Sequence, residues 1–308
     1  MARMARKTTA SLSVSPGSHL RILRFPWISA LLLCALGTLD AFAGETLADY
    51  WMKAAAEGRT EILETLAKEG FDPNTRNEHG ESALHVAAAA GHLETVTRLL
   101  ELGSDPNLRE RHVGATPLIT AVVKEHPRIV ERLLAKGADP NVGDEQRGLT
   151  PLALAVLSGK SDLVVPLLSG GADPNLPDKA GNTPLLHAVR RNDADLVALL
   201  LSRGANPNPP PNRAGMIPLF LAADEGATKI VRLLLEHGAD IDAREGATGK
   251  TALMAAAFRG HLDTLRLLLS RGAKIDLRDN RGKNALVMAE AALQEAAATI
   301  LRDAGATP

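Results

Sequence analysis

Eight glycines recur along this chain at nearly constant separation: Gly70, Gly103, Gly137, Gly171, Gly204, Gly238, Gly272 and Gly305, with steps of 33, 34, 34, 33, 34, 34 and 33 residues. A period in this range marks a solenoid, whose units cannot bury their apolar faces alone and stack on their neighbours to do so. Such a chain offers a long surface rather than a central pocket, and its function is to be sought on that surface.

Each glycine closes the same phrase. Gly70 leads into Phe-Asp-Pro-Asn, Gly137 and Gly171 into Ala-Asp-Pro-Asn, and Gly238 into Ala-Asp-Ile-Asp. Apolar runs such as Ile129 to Leu134 and Ile230 to Leu235 come just before. They predict a helix buried on most sides and ended by a glycine in the left-handed conformation. Asp-Pro-Asn is turn chemistry, so Asp72, Asp105, Asp139, Asp173 and Asp240 are expected to hydrogen-bond their own turns. Further along each unit stands Thr-Pro-Leu, at 116–118, 150–152 and 183–185, with relaxed forms at Ser82, Ile217, Thr251 and Asn284. A hydroxyl there caps the first helix of each unit, and proline at the first helical position loses no hydrogen bond. That helix carries close-packing alanines such as Ala87-Ala88 and Ala255-Ala256, and it ends near Gly91-His92, Gly159-Lys160, Gly226-Ala227 or Gly260-His261. The extra residue of the 34-residue units is assigned to the turn, as around 109–113, and Pro209-Pro210-Pro211 stiffens one such turn.

This pattern resembles the ankyrin repeat, most closely from Gly80-Glu-Ser-Ala-Leu-His85 through Asn107, and the resemblance covers residues 46–306. It implies an all-α solenoid of about eight helix-turn-helix units, ending near residues 74, 107, 141, 175, 208, 242, 276 and 306. The first unit, Leu47 to Asn74, and the last depart from the pattern as capping repeats do. Hydrophobic content of 45% with only 3% aromatic suits a core of small aliphatic side chains, nested at about 8–10 Å between helices. Stacked at that spacing, the units would extend over roughly 80 Å.

For proteins of this family the resemblance implies recognition by a shape like a hand. Turn tips act as fingers, the exposed ends of the first helices form the palm, and the two together make a concave groove. Finger positions include Glu78, His79, Glu81, Gln146, Arg147, Lys179, Arg213, Lys250, Arg281 and Lys283; palm positions include Arg190, Arg191, Asp224, Glu225, Phe258 and Arg259. The C-terminal half therefore gathers Lys179, Arg190, Arg191, Arg213, Lys250, Arg259 and Arg281 around a lone aromatic, Phe258, whereas the N-terminal half shows Glu57, Glu78 and Glu81. Arginine and exposed aromatic side chains most often carry interface energy. The expected partner is a protein or peptide with an acidic segment across repeats four to seven, bound by a monomer.

No catalytic constellation emerges. There is no Gly-Xaa-Ser-Xaa-Gly elbow, no His-Glu-Xaa-Xaa-His and no phosphate-binding glycine loop. His85, His92, His126 and His261 fall on repeat positions whose rings, by the family resemblance, bond the backbone of neighbouring loops. Equivalent positions stand about 10 Å apart, whereas zinc ligands converge within about 2 Å of one ion. His79, His112, His187 and His237 fall elsewhere and are expected at the surface. No enzyme activity, cofactor or metal is expected; an exported enzyme with a site in the groove would need a convergent titratable pair out of register with the repeat.

The first 43 residues differ from the rest. Arg3, Arg6, Lys7, Arg21 and Arg24 precede the apolar stretch Ile28 to Leu36, and Ala41-Phe-Ala43 follows. Basic, apolar, then small-Xaa-small describes a secretory signal peptide cleaved after Ala43, leaving 44–308 as one repeat domain in the periplasm or secreted. The Arg and Ser content also suits an organelle transit peptide, and a retained segment at 25–43 would make a tethered, inner-membrane adaptor. Cys34 follows Leu33, which is not the small residue that lipoprotein processing needs. With the segment removed the chain has no cysteine, in keeping with an oxidising compartment. The chain holds 35 basic and 36 acidic residues, five and one of them in 1–43, so 30 against 35 remain and the net charge is −5. An acidic chain is a poor general binder of nucleic acid.

Overall fold

The computed structural model describes residues 46–308. Segment 1–43, with the expected cleavage after Ala43, lies outside the described residues. Leu47 to Pro308 forms one compact unit of helix pairs: α1 (Leu47–Ala56) with α2 (Thr60–Lys68), α3 (Ala83–Ala90) with α4 (Leu93–Glu101), α5 (Pro117–Val123) with α6 (Pro127–Ala135), and α7 (Pro151–Ser158) with α8 (Ser161–Ser169). Then follow α9 (Pro184–Arg190) with α10 (Ala194–Ser202), α11 (Pro218–Asp224) with α12 (Thr228–Glu236), α13 (Ala252–Arg259) with α14 (Leu262–Ser270), and α15 (Ala285–Ala291) with α16 (Glu295–Asp303). The fold is the all-α solenoid of eight units that the periodicity predicts. Among the described residues there is no strand, only the isolated bridges Arg76–Ser82 and Arg244–Thr251.

Helices of seven to ten residues are too short to persist alone in water. They are held by burial. Each odd-numbered, inner helix packs on the inner helices beside it and on its own outer helix. Leu84, Ala87, Leu118, Ala121, Leu152, Ala155, Leu185 and Ala188 have no exposure at all. Small side chains at these positions let the inner helices approach closely, as the alanine pairs predict. The first unit seals its end with aromatics, Trp51 fully buried and its ring centroid 4.9 Å from that of Phe71.

Helix starts and stops follow the sequence. Thr116, Thr150, Thr183, Thr251 and Asn284 each accept a hydrogen bond from the backbone N–H three residues on, at 3.0–3.4 Å. The eight periodic glycines all take φ between +85° and +93°. A Cβ at any of them would meet nothing within 4 Å, so backbone conformation alone calls for glycine there, where an L side chain costs about 1–2 kcal/mol. At the end of the inner helix the left-handed residue is Gly91, Gly159 or Gly260 in some repeats and Glu125, Asn192 or Leu293 in others. The outer helix α8 carries Pro166 in its interior, which removes one hydrogen bond from that helix. Consecutive outer helices pack on one another along the stack except between α8 and α10, where the approach is sparse.

Repeats are joined by hydrogen bonds. In each Asp-Pro-Asn turn the first side chain accepts from the N–H two residues on, as Asp105 does from Asn107 at 2.8 Å. Asn107 then reaches the next repeat, its Oδ1 accepting from the Asp139 N–H at 2.8 Å and its Nδ2 donating to the Gly137 carbonyl at 3.0 Å. Asn74, Asn141, Asn175 and Asn208 repeat this link. The fingers form a second ladder, in which Arg111 donates to the His79 carbonyl, Glu145 to Val113, Lys179 to Arg147 and Arg213 to Ala180, at 2.7–2.9 Å. Histidine forms a third: the rings of His92, His126 and His261 donate to the carbonyls of Ala56, Ala89 and Asp224.

Finger length accounts for the 33- and 34-residue steps. The turn closes from Asn77 to Glu81, Asp178 to Asn182 and Asp279 to Lys283, but needs one residue more from Glu110 to Ala115, Asp144 to Leu149 and Glu245 to Lys250. The remaining long step places its extra residue in Pro209–Pro211, ahead of the short finger that closes from Asn212 to Met216. Every finger is wrapped around its first side chain. The buried Glu245 accepts from the N–H groups of Ala247, Thr248 and Lys250, and Asp279 from those of Arg281 and Lys283.

Losing such a buried anchor leaves several half-buried N–H groups without their shared acceptor, whereas an exposed turn side chain can be replaced by water. Glu245→Ala is expected to cost about 2–3 kcal/mol and the exposed Asn141→Ala about 1 kcal/mol in urea unfolding. Equal costs for the two would contradict this division of roles.

Candidate interaction surface

Finger tips and inner-helix ends share one face. Gln146, Arg147, Lys179, Ala180 and Arg213 come from three successive fingers, and Leu157, His187, Arg190 and Arg191 from α7, α9 and the residue after it; all line one cavity of about 440 Å³. A second cavity of about 270 Å³ lies between the last two repeats, where Thr248, Lys250, Arg281 and Lys283 from the fingers meet Phe258 of α13 and Met288 of α15.

The ten candidate residues do not all stand free in this groove. Arg259 is clamped by Asp224 through paired bonds of 2.9 Å from Nε and Nη2 to the two carboxylate oxygens. Arg191 donates to the Leu157 carbonyl at 2.7 Å. This carbonyl is equivalent to those that His92 and His261 engage, so Arg191 performs the histidine's linking role in a repeat where Asp193 instead caps α10. Lys179 Nζ donates to the Glu145 carbonyl. Among the described residues, Arg147, Arg190 and Arg213 make no ion pair. Phe258 is 42% exposed, with Lys250 Nζ 5.6 Å and the Arg259 guanidinium 5.9 Å from its ring centroid. Glu225 faces Arg190; burial pushes its carboxyl up, against the opposing pull of that arginine.

One expectation is corrected. His187 is not at the surface but 6% exposed, with Nε2 3.1 Å from Asp178 Oδ2. Asp178 anchors its finger by accepting from the N–H groups of Ala180 and Asn182 and from Asn182 Nδ2, which places its second oxygen beneath the ring. Burial holds the His187 pKa below the usual value despite that carboxylate. For Asp178 burial acts upward, but the Asn182 and Ala180 hydrogen bonds overcome it and the pKa is lowered. His79 and His112 are exposed, as expected, with His112 Nε2 3.2 Å from His79 Nδ1. His237 is exposed as well. His85 is buried and neutral: its Nδ1 accepts from the Ser82 N–H and its Nε2 donates to the Ala115 carbonyl, and burial lowers its pKa.

Among the described residues no group of three or more His, Cys, Asp or Glu is placed to hold a metal ion, and no helix is long and apolar enough to cross a membrane.

The family model for ankyrin repeats in three copies matches residues 51–144 and 152–245, and the single-repeat model matches 248–280. The chain belongs to the ankyrin-repeat family. Its ankyrin stack is similar to the crystal structure of the ankyrin repeat domain of Bcl-3, described as a unique member of the IkappaB protein family. The TM-score is 0.65 at 30% identity, over 72% of this chain and 99% of that one. No curated protein matches the sequence. Ankyrin repeats are generally non-catalytic interaction scaffolds, and protein is the partner class that this architecture serves.

The buried groups set a pH dependence. Folded His85 and His187 bind protons less readily than unfolded histidine, so stability is full above the ordinary histidine pKa of about 6.5 and falls as pH drops below it. The lowered Glu110, Asp178 and Glu245 carboxyls add stability that is lost only further down, below about pH 4.5. Urea midpoints are expected to decline from pH 7.5 to 5.5, and in the double variant His85→Gln, His187→Gln that upper decline flattens while the lower one persists. A wild-type midpoint that is level or rising over this interval would contradict the assignment.

Proposed function

We propose that the chain is a non-catalytic protein-binding scaffold that receives its partner in the groove of fingers and inner-helix ends. It acts outside the cytoplasm, in the periplasm or secreted, after removal of residues 1–43 as a signal peptide. The scaffold reading rests above all on a division of labour: the periodic Asn and Asp and the linking His side chains are engaged between or within repeats, whereas Arg147, Arg190, Arg213 and Phe258 are left facing the groove. Export is supported by the basic, apolar, small-residue order of the N-terminal segment and by the absence of cysteine after Ala43.

Two measurements test these claims. Intact-mass analysis of the chain expressed in a bacterial host is expected to give a species beginning at Gly44 in the exported fraction; a chain retaining its first 43 residues would reject cleavage. A photo-crosslinking side chain at position 190 in the groove is expected to capture a partner protein in the compartment where the chain resides. The same group at Arg232, exposed on the outer helix α12, is expected to capture none. The reverse pattern would move the interface to the outer face.

A further inference from the structure

The two cavities of the groove differ in chemistry. Arg147, Lys179, Arg190, Arg191 and Arg213 surround the larger one, with Asp178 as its only carboxylate. Asp178 is already occupied by its own turn and by His187. The bonds that Lys179 and Arg191 make go to neutral carbonyls, which orient the cations without cancelling their charge. Guanidinium groups held around a recess suit carboxylates, which they bind through paired hydrogen bonds. The smaller cavity has an apolar side made by Phe258, Met288 and Ala291, ringed by Lys250, Arg281 and Lys283, and its one carboxylate, Asp279, is taken up by its own turn. It suits an aliphatic or aromatic side chain with negative charge beside it.

Between the two lie Asp224 and Glu225 of repeat six. Asp224 neutralises Arg259, so positive potential does not run unbroken along the groove. A ligand of uniform negative charge would meet Glu225 part-way, which disfavours a phosphate backbone. The cavities are centred about two and a half to three repeats apart, or roughly 20–30 Å at the usual helix spacing. An extended chain at about 3.3 Å per residue covers that with about six to nine residues.

Resting on the groove reading above, we infer that the partner contributes an extended two-part segment. Two or more carboxylates sit in the cavity of Arg147, Arg190 and Arg213, and a large apolar side chain enters the Phe258 cavity, with an uncharged or basic spacer of about six to nine residues between them. Charge complementarity selects the first element and the exposed aromatic the second.

Display of random 16-residue peptides against the full chain tests this. Enriched peptides are expected to carry an acidic cluster and an apolar residue at that spacing. Measured by fluorescence anisotropy as synthetic peptides, they should weaken at least about tenfold in the triple variant Arg147→Ala, Arg190→Ala, Arg213→Ala and by a similar factor in Phe258→Ala. Arg232→Glu should leave affinity unchanged, and raising salt should weaken the wild-type complex but much less the triple variant. The changes are at exposed side chains, and unaltered circular dichroism of each variant shows that loss of binding is not loss of fold. No enrichment, enrichment without the two-part pattern, or equal competition by an oligothymidylate overturns the inference. Patternless peptides that still crosslink through position 190 would leave the scaffold reading standing, whereas peptides that bind only the outer face would remove both.

Discussion

Registry between one helix pair and the next is what this molecule has to secure, because no pair is large enough to stand alone. Three ladders secure it: backbone to backbone along the fingers, Asn side chain to backbone along the turns, and ring nitrogen to carbonyl at the ends of the inner helices. Each bond contributes only about 0.5–1.5 kcal/mol, but each recurs at successive steps and fixes the same displacement. Apolar packing supplies most of the stabilisation, but it is non-directional; the ladders are directional and add a specific register to it.

That arrangement frees the groove. With backbone and turn polar groups satisfied by the stack, side chains on the inner edge are under little structural demand, and their identity can answer to a partner instead. The exceptions define the limits of this freedom. Arg191 stands in the groove yet substitutes for a linking histidine, and Arg259 stands beside Phe258 yet is matched by Asp224. Basic residues in the same groove thus differ in kind, and only the local bonding separates them.

Most of the fold was legible because it repeats. The glycine steps locate the helix ends, Thr-Pro-Leu locates the starts, and the single-residue difference between steps falls in the finger turn or, at Pro209–Pro211, just ahead of it. The finger anchors have no signature in the sequence because the role is filled by Asn77, Glu110, Asp144, Asp178, Asn212, Glu245 and Asp279, three residue types in two loop lengths. Only the shared acceptor chemistry unites them, and a pattern search by residue type does not see it. His187 looked like surface for a related reason: its partner lies nine residues earlier on the finger, where Asp178 had no distinguishing mark. The Arg259–Asp224 clamp spans 35 residues, about one period. Overlaying adjacent repeats puts these opposite charges side by side, whereas listing groove residues along the chain keeps them apart.

The interior proline of α8 and the sparse packing of α8 on α10 fall at the same joint, between the fourth and fifth repeats. In a stack whose units touch only their neighbours, that joint is held by its inner helices and finger bonds rather than by its outer helices. That joint lies behind the recess where Leu157 of the fourth repeat meets Arg190 of the fifth. The arginine-lined recess at the front of the groove therefore has its thinnest backing on the outer side of the stack, and the inner helices α7 and α9 hold its two walls together there.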